Sequence, residues 1–364
     1  MFRKGFIFRT KLCFKMPYYP DHTNKWLLTF LSLLIFSSVG HAQATKQLII
    51  PLPESKIANS LYNKITILDI RTDTANCGMV RVGFFDKRAT LIAKPSLSTQ
   101  INNIFSALID QTAAKRELML LIRQISFTEG TGTSNKGFFQ MRAALFAKTG
   151  DSYQKINQID TLKVLSASID VTDTLLRFGS RAIKEFVSGN LGKVPESAVK
   201  CSYTDIAHID SLEKSKLPVY ANNSYVDGLY LTYRSFSRQI PDAPINAERN
   251  AIQNDMVTTP DKSGKFKKVK SSSVYALVSK GQIYAATKFG YYPIDKVNGE
   301  LIFTGRVSIA NSPSVVATAL FGALGGLISS ANTDGTFEIK IDHTNGGYIK
   351  LKEIETPTYK EIDY

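Results

Sequence analysis

The densest group of reactive side chains in this 364-residue sequence is CSYTDIAHID, Cys201 to Asp210. On one helix, Cys201, Asp205 and His208 fall at i, i+4 and i+7. That face would hold a thiol, a carboxylate and an imidazole together, the set a nucleophile needs with its base and orienting acid. A hydrolase around Cys201 and His208 is one reading. A polar connection is the other, because catalytic Cys/His pairs are assembled by the fold rather than by sequence neighbours. His343, between Asp342 and Asn345, reads as a turn residue with a ligand role as the alternative. Asp170 and Asp173 could be paired acid–base carboxylates, but they stand at a helix start, where carboxylates cap and meet the helix dipole. The loop GTGTSNKG lacks a Gly-Lys-Ser/Thr ending and a following helix, so it reads as a hairpin connection rather than a phosphate cradle. No cofactor-binding motif emerges.

The N-terminus points to export. Lys25 precedes the apolar run WLLTFLSLLIF, and small residues then lead to Ala42-Gln43-Ala44, the order of a signal peptide over residues 1–44. No cysteine follows the run, so the reading is a periplasmic or outer-membrane-associated protein and not a lipoprotein. Met16 is a second candidate start. Cleavage removes His22, His41, Trp26 and Cys13. Of four histidines and three cysteines, His208, His343, Cys77 and Cys201 remain, which argues against a multi-histidine metal site. In an oxidising compartment Cys77 and Cys201 are a candidate disulfide, provided their Cα atoms come within about 7 Å.

The formal charge is +14, and +9 after cleavage. Such a balance suits an envelope protein or an anionic surface as partner, or simply a solvated basic surface; export argues against nucleic acid. The run DKSGKFKKVKSSS sets Lys262, Lys265, Lys267, Lys268 and Lys270 around Phe266, a candidate contact for acidic lipid or glycan.

What must position these residues reads as α+β in two domains, each an antiparallel sheet with one or two packed helices. The first, residues 45–195, has strand candidates ITILDIRTD and MVRVGFF around an Asn76-Cys77-Gly78 turn. A helix after Pro95 comes next, capped by Ser96 or Ser98, then strands ELMLLIRQISF and FFQMRAALFAKTG. The domain closes with a helix from Asp170 or Thr172 to Gly189, whose inner face includes Gly179. Residues 196–223 read as a linker. The second domain, 224–356, is β-rich, with YVDGLYLTYRSF opening it as strand then short helix, and hairpins about Lys280-Gly281, Asn298-Gly299 and Asn345-Gly346. Residues 357–364 form a tail. The uncharged stretch VVATALFGALGGLISSA, Val315 to Ala331, is read as a buried helix whose Gly322, Gly325 and Gly326 allow close packing. Membrane insertion or oligomerisation through that face stays open.

The order of elements in the first domain is similar to that of transport-auxiliary lipoproteins. Asp227-Gly228-Leu229-Tyr230-Leu231-Thr232-Tyr233-Arg234-Ser235-Phe236, a hairpin containing Gln282-Ile283-Tyr284, and the Gly/Ala-rich segment resemble uncharacterised secreted or envelope proteins of Bacteroidetes-type bacteria over roughly 225–350. That resemblance implies an envelope role and no catalytic residue. The expected function is therefore an exported, non-enzymatic binding or assembly component.

Overall fold

Long runs of β-branched, aromatic and aliphatic residues build the first sheet. Its centre is β5 (Glu117–Glu129), β6 (Lys136–Thr149) and β7 (Ser152–Ser166), an antiparallel meander. The remaining strands are β1 (Ala44–Leu48), β2 (Lys64–Asp69), β3 (Asn76–Val82), β4 (Lys87–Ala93) and β8 (Lys200–Cys201). The order is β1-β4-β3-β5-β6-β7-β8, with β2 also on β5. This computed structural model describes residues 44–83, 86–130, 136–167, 170–246, 252, 256–261, 263–308 and 334–354. Residues 1–43, which hold nearly all of the expected signal peptide 1–44, Lys262, the apolar stretch 315–331 with Gly322, Gly325 and Gly326, and the tail 357–364 lie outside them. The chain divides into Met1–Gln43 and Ala44–Tyr364, and both sheets belong to the second unit.

The first sheet is mixed rather than antiparallel. β1 runs parallel to β4, and both β2 and β3 run parallel to β5. β2 and β3 share one edge of β5, the first along Glu117–Ile122 and the second at Phe127 and Thr128. The chain therefore turns between Ile70 and Ala75, and Asn76-Cys77-Gly78 begins β3 instead of forming the turn. Buried Arg71 holds this crossing, donating to Asp69 and to the carbonyls of Thr74 and Asn76.

Two helices cover one face. Helix α1 (Leu97–Leu108) is capped by Ser96, whose Oγ accepts from the Thr99 amide, and α2 (Val171–Ser188) by Asp170, accepting from the Asp173 amide. They bury Ile101, Ile104, Leu175 and Ile183 against Leu118, Leu120, Ile122 and Phe139. Gly179 lets α2 approach closely: a Cβ there would stand 2.1 Å from the Phe127 ring. The alternate residues Met119, Leu121, Ala144 and Phe146 form a second, smaller cluster on the opposite face, as the two-residue period of a strand requires.

The stretch 196–223 is not an irregular connection. It holds β8 and three short helices, α3 (Tyr203–Ala207), α4 (Ile209–Ser215) and α5 (Pro218–Ala221). Ile206 and Ile209 pack on the second face of the first sheet.

The second sheet is antiparallel throughout, in the order β17-β16-β15-β14-β13-β12-β9. Its strands are β9 (Gly228–Tyr230), β12 (Ala276–Ser279), β13 (Gln282–Thr287), β14 (Gly290–Val297), β15 (Glu300–Ser308), β16 (Asp334–Ile341) and β17 (Tyr348–Glu353). Lys280-Gly281 and Asn298-Gly299 take positive φ at both positions and make the tight turns their types suggest. A separate hairpin, β10 (Thr258–Pro260) with β11 (Phe266–Lys268), sits beside it. Helix α6 (Tyr233–Ser237) follows β9 and buries Phe236 in the core with Tyr230, Val278 and Ile339. Among the described residues, no helix is long and apolar enough to cross a membrane.

Candidate functional site: a charged junction between the sheets

Two arginines interrupt otherwise apolar strands, Arg123 in LLIRQIS and Arg142 in FFQMRAAL. The register explains how both reach one place. Ile122 pairs with Ala143 and Gln124 with Arg142, so Arg123 is the extra residue of a β-bulge. Arg123 continues the period of Met119 and Leu121, and Arg142 that of Ala144 and Phe146, so both stand on the face away from α1 and α2; the bulge keeps Gln124 on that face as well, opposite Arg142.

Two segments meet them. α4 presents Asp210 and Glu213 at i and i+3, and the β16–β17 turn presents Asp342 and His343. Arg123 grips Glu213 with both terminal nitrogens, Nη1 to Oε1 at 3.1 Å and Nη2 to Oε2 at 2.7 Å, while Nη2 also reaches Asp210 at 2.5 Å. His343 Nε2 lies 3.2 Å from Glu213 Oε2 and 3.4 Å from Arg123 Nη2. Arg142 donates to Asp342 Oδ2 at 3.0 Å and through Nε to its cross-strand neighbour Asp160 at 3.0 Å. Lys214 completes the row with Glu300 at 2.6 Å.

The turn carrying Asp342 and His343 is itself held. The Asp342 carboxylate accepts from the Thr344 amide and hydroxyl. Three tyrosine hydroxyls donate to turn carbonyls: Tyr220 to Ile341, Tyr233 to His343 and Tyr275 to Gly346. Burial raises the titration of all three above the ordinary tyrosine range, so each stays a neutral donor. Gly346 has φ +77°, and a Cβ there would stand 2.2 Å from the Tyr233 ring; only glycine fits.

The electrostatics are those of committed ion pairs. Burial works to raise Glu213, but the bonds from His343 and Arg123 outweigh it and bring its pKa down to about 2. Asp342 is likewise held below the usual carboxylate range against its burial, chiefly by the Arg142 charge. Clefts of about 280 Å³ and 380 Å³ share Arg123, Arg142 and His343 in their walls. Arg71, Lys340 and Glu300 line the first, Lys155, Asp160 and Glu213 the second.

Ligand atoms of Asp210, Glu213 and His343 lie within 4.8 Å of one another, a metal-like grouping among the described residues. A cation does not fit there beside Arg123: its guanidinium occupies the space in front of both carboxylates, at 2.5 and 2.7 Å.

The trio from CSYTDIAHID does not assemble. Cys201 belongs to β8, before the helix. Asp205 is consumed in a capping box with Ser202, and His208 interrupts the helix at φ −111°, its Nδ1 3.0 Å from the Thr204 carbonyl. Cys77 and Cys201 are free thiols. They stand four strand steps apart in the sheet, about 19 Å at the usual spacing, and on opposite faces, Cys77 in the helix-covered core and Cys201 beside Tyr153 and Ile206. Burial also raises the Cys77 thiol, so it is inert. Asp170 caps α2, and Asp173 pairs with Arg177. Lys265, Lys267, Lys268 and Lys270 are exposed on and beside β11. Arg123, Arg142, Glu213 and Asp342 carry no linear motif; a lone arginine inside an apolar strand is their only local mark.

No family model and no curated protein matches this chain. Among solved structures, a Xanthomonas campestris protein of the family DUF330 is similar at 7% identity and a TM-score of 0.28, over 40% of this chain and 93% of that one. An uncharacterized protein is similar at 14% identity and a TM-score of 0.26, over 41% and 97%.

Proposed function

We propose that the chain is an exported envelope protein without catalytic activity, a binding or assembly component, periplasmic or outer-membrane-associated. It is built as two α+β domains, 45–195 and 224–356, which the charged junction fastens into one body. The carrying observation is the state of the junction acids. Glu213 is drawn to about 2 and Asp342 is lowered, whereas a general acid or base works best with a pKa near the operating pH. Paired with Arg123 at 2.7 Å and Arg142 at 3.0 Å, these acids suit groups that hold the sheets together rather than groups that trade protons. The compact unit begins at Ala44, within one residue of the expected cut after Ala42-Gln43-Ala44, in keeping with that cut. Mass spectrometry of the chain recovered from cell fractions tests export: a mature form starting at Thr45 in the envelope fraction is expected, and an uncleaved chain in the cytosol would overturn the proposal.

A further inference from the structure

The hairpin β10–β11 has two unlike faces. Thr258 pairs with Lys268 and Pro260 with Phe266, and the Val269 amide donates to the Val257 carbonyl, extending the register by one pair. Val257 and Val269 point into the cluster formed by Leu229, Leu277, Tyr284 and Tyr291, which anchors the hairpin base. Strand alternation places Met256, Phe266, Lys268 and Lys270 on the other face. There Met256 is 54% and Phe266 59% exposed, and both lysines are exposed.

The tip is stiff. Asp261 accepts from the Ser263 and Lys265 amides and the Ser263 hydroxyl and pairs with Lys267 at 3.1 Å. The acid of this hairpin is thus absorbed in shaping the turn, and the exposed face is left cationic. Large apolar side chains between lysines suit a surface that offers anionic charge with hydrocarbon beneath it. Soluble glycan would satisfy the lysines and leave Met256 and Phe266 in water.

We infer that the outer face of this hairpin, Met256, Phe266, Lys268 and Lys270, docks on an anionic phospholipid surface. It is independent of the junction and stands whether or not the junction reading holds. The test uses the full chain carrying W26F and F266W, which moves its single tryptophan to the hairpin. Vesicles of phosphatidylcholine with about one-third phosphatidylglycerol should shift its emission to the blue, and brominated acyl chains should quench it. Pure phosphatidylcholine should do neither. Adding K268Q and K270Q should weaken partitioning about thirtyfold, about fivefold for each lysine. An unchanged emission with anionic vesicles, an equal response to neutral ones, or a response only to a soluble anionic polysaccharide would overturn the inference.

Discussion

Replacing Arg142 by Met tests the junction at its most buried pair. The Arg142 side chain is 13% exposed and that of Asp342 6%, so removing the guanidinium strands a carboxylate that water reaches poorly. Breaking a buried pair from one side costs about 3–5 kcal/mol. Asp342 would keep its two bonds from Thr344, and Asp160 is exposed enough to be resolvated, so about 3 kcal/mol is expected, a fall in Tm of about 4–5 °C for one cooperative unit of about 320 residues. The sign with pH follows from linkage. Asp342 is depressed in the folded wild type, so its pair stabilises above the unfolded carboxylate pKa and the contribution is lost as pH falls through the folded value. In R142M burial acts without the compensating charge and raises Asp342 instead, so the variant's deficit narrows as pH falls through the carboxylate range. Urea melts of wild type, R142M, D342N and the double variant between pH 7 and 4 measure this. A deficit below about 0.5 kcal/mol, far under the buried-pair range, or one that does not change with pH, would refute the reasoning.

Glu213, at about 2 in the fold against 4.5 as its ordinary value, stabilises above 4.5 and loses that contribution as pH falls toward 2; E213Q should flatten this acid limb in melts from pH 6 to 2. Gly179→Ala pushes a methyl group into the Phe127 ring and should cost about 1–3 kcal/mol by overpacking, read as a lower urea midpoint with unchanged slope. The denatured, unreduced chain from Thr45 onward should titrate two thiols, since Cys77 and Cys201 lie on opposite faces of the first sheet; none would contradict the strand order.

What the sequence made legible was local. Ser96 and Asp170 cap where their types and spacing say, and the Lys280-Gly281 and Asn298-Gly299 turns close hairpins because Gly281, Gly299 and Asn298 tolerate the positive φ they take, Lys280 following its glycine into the same turn. The aromatic and β-branched runs became β5, β6 and β9. What stayed hidden depends on contacts distant in sequence. β2 and β3 read as neighbours, yet each pairs with a different half of β5. Glu213 and His343 are 130 residues apart, Arg123 and His343 220. The period of Met119 and Leu121 gives the face of Arg123, but nothing near it announces that α4 and the turn at His343 will meet that face. The Cys201, Asp205 and His208 spacing misled because it presumed one continuous helix, whereas Ser202 and Asp205 start a new helix after β8 and His208 ends it.

Differential scanning calorimetry of wild type and the R123M/R142M variant bears most directly on the claim that the junction fastens two domains into one body. The account predicts a single cooperative transition for the wild type, with calorimetric and van't Hoff enthalpies in agreement, and two resolved transitions for the variant. Two transitions already present in the wild type, or one unsplit transition surviving in the variant, would contradict it.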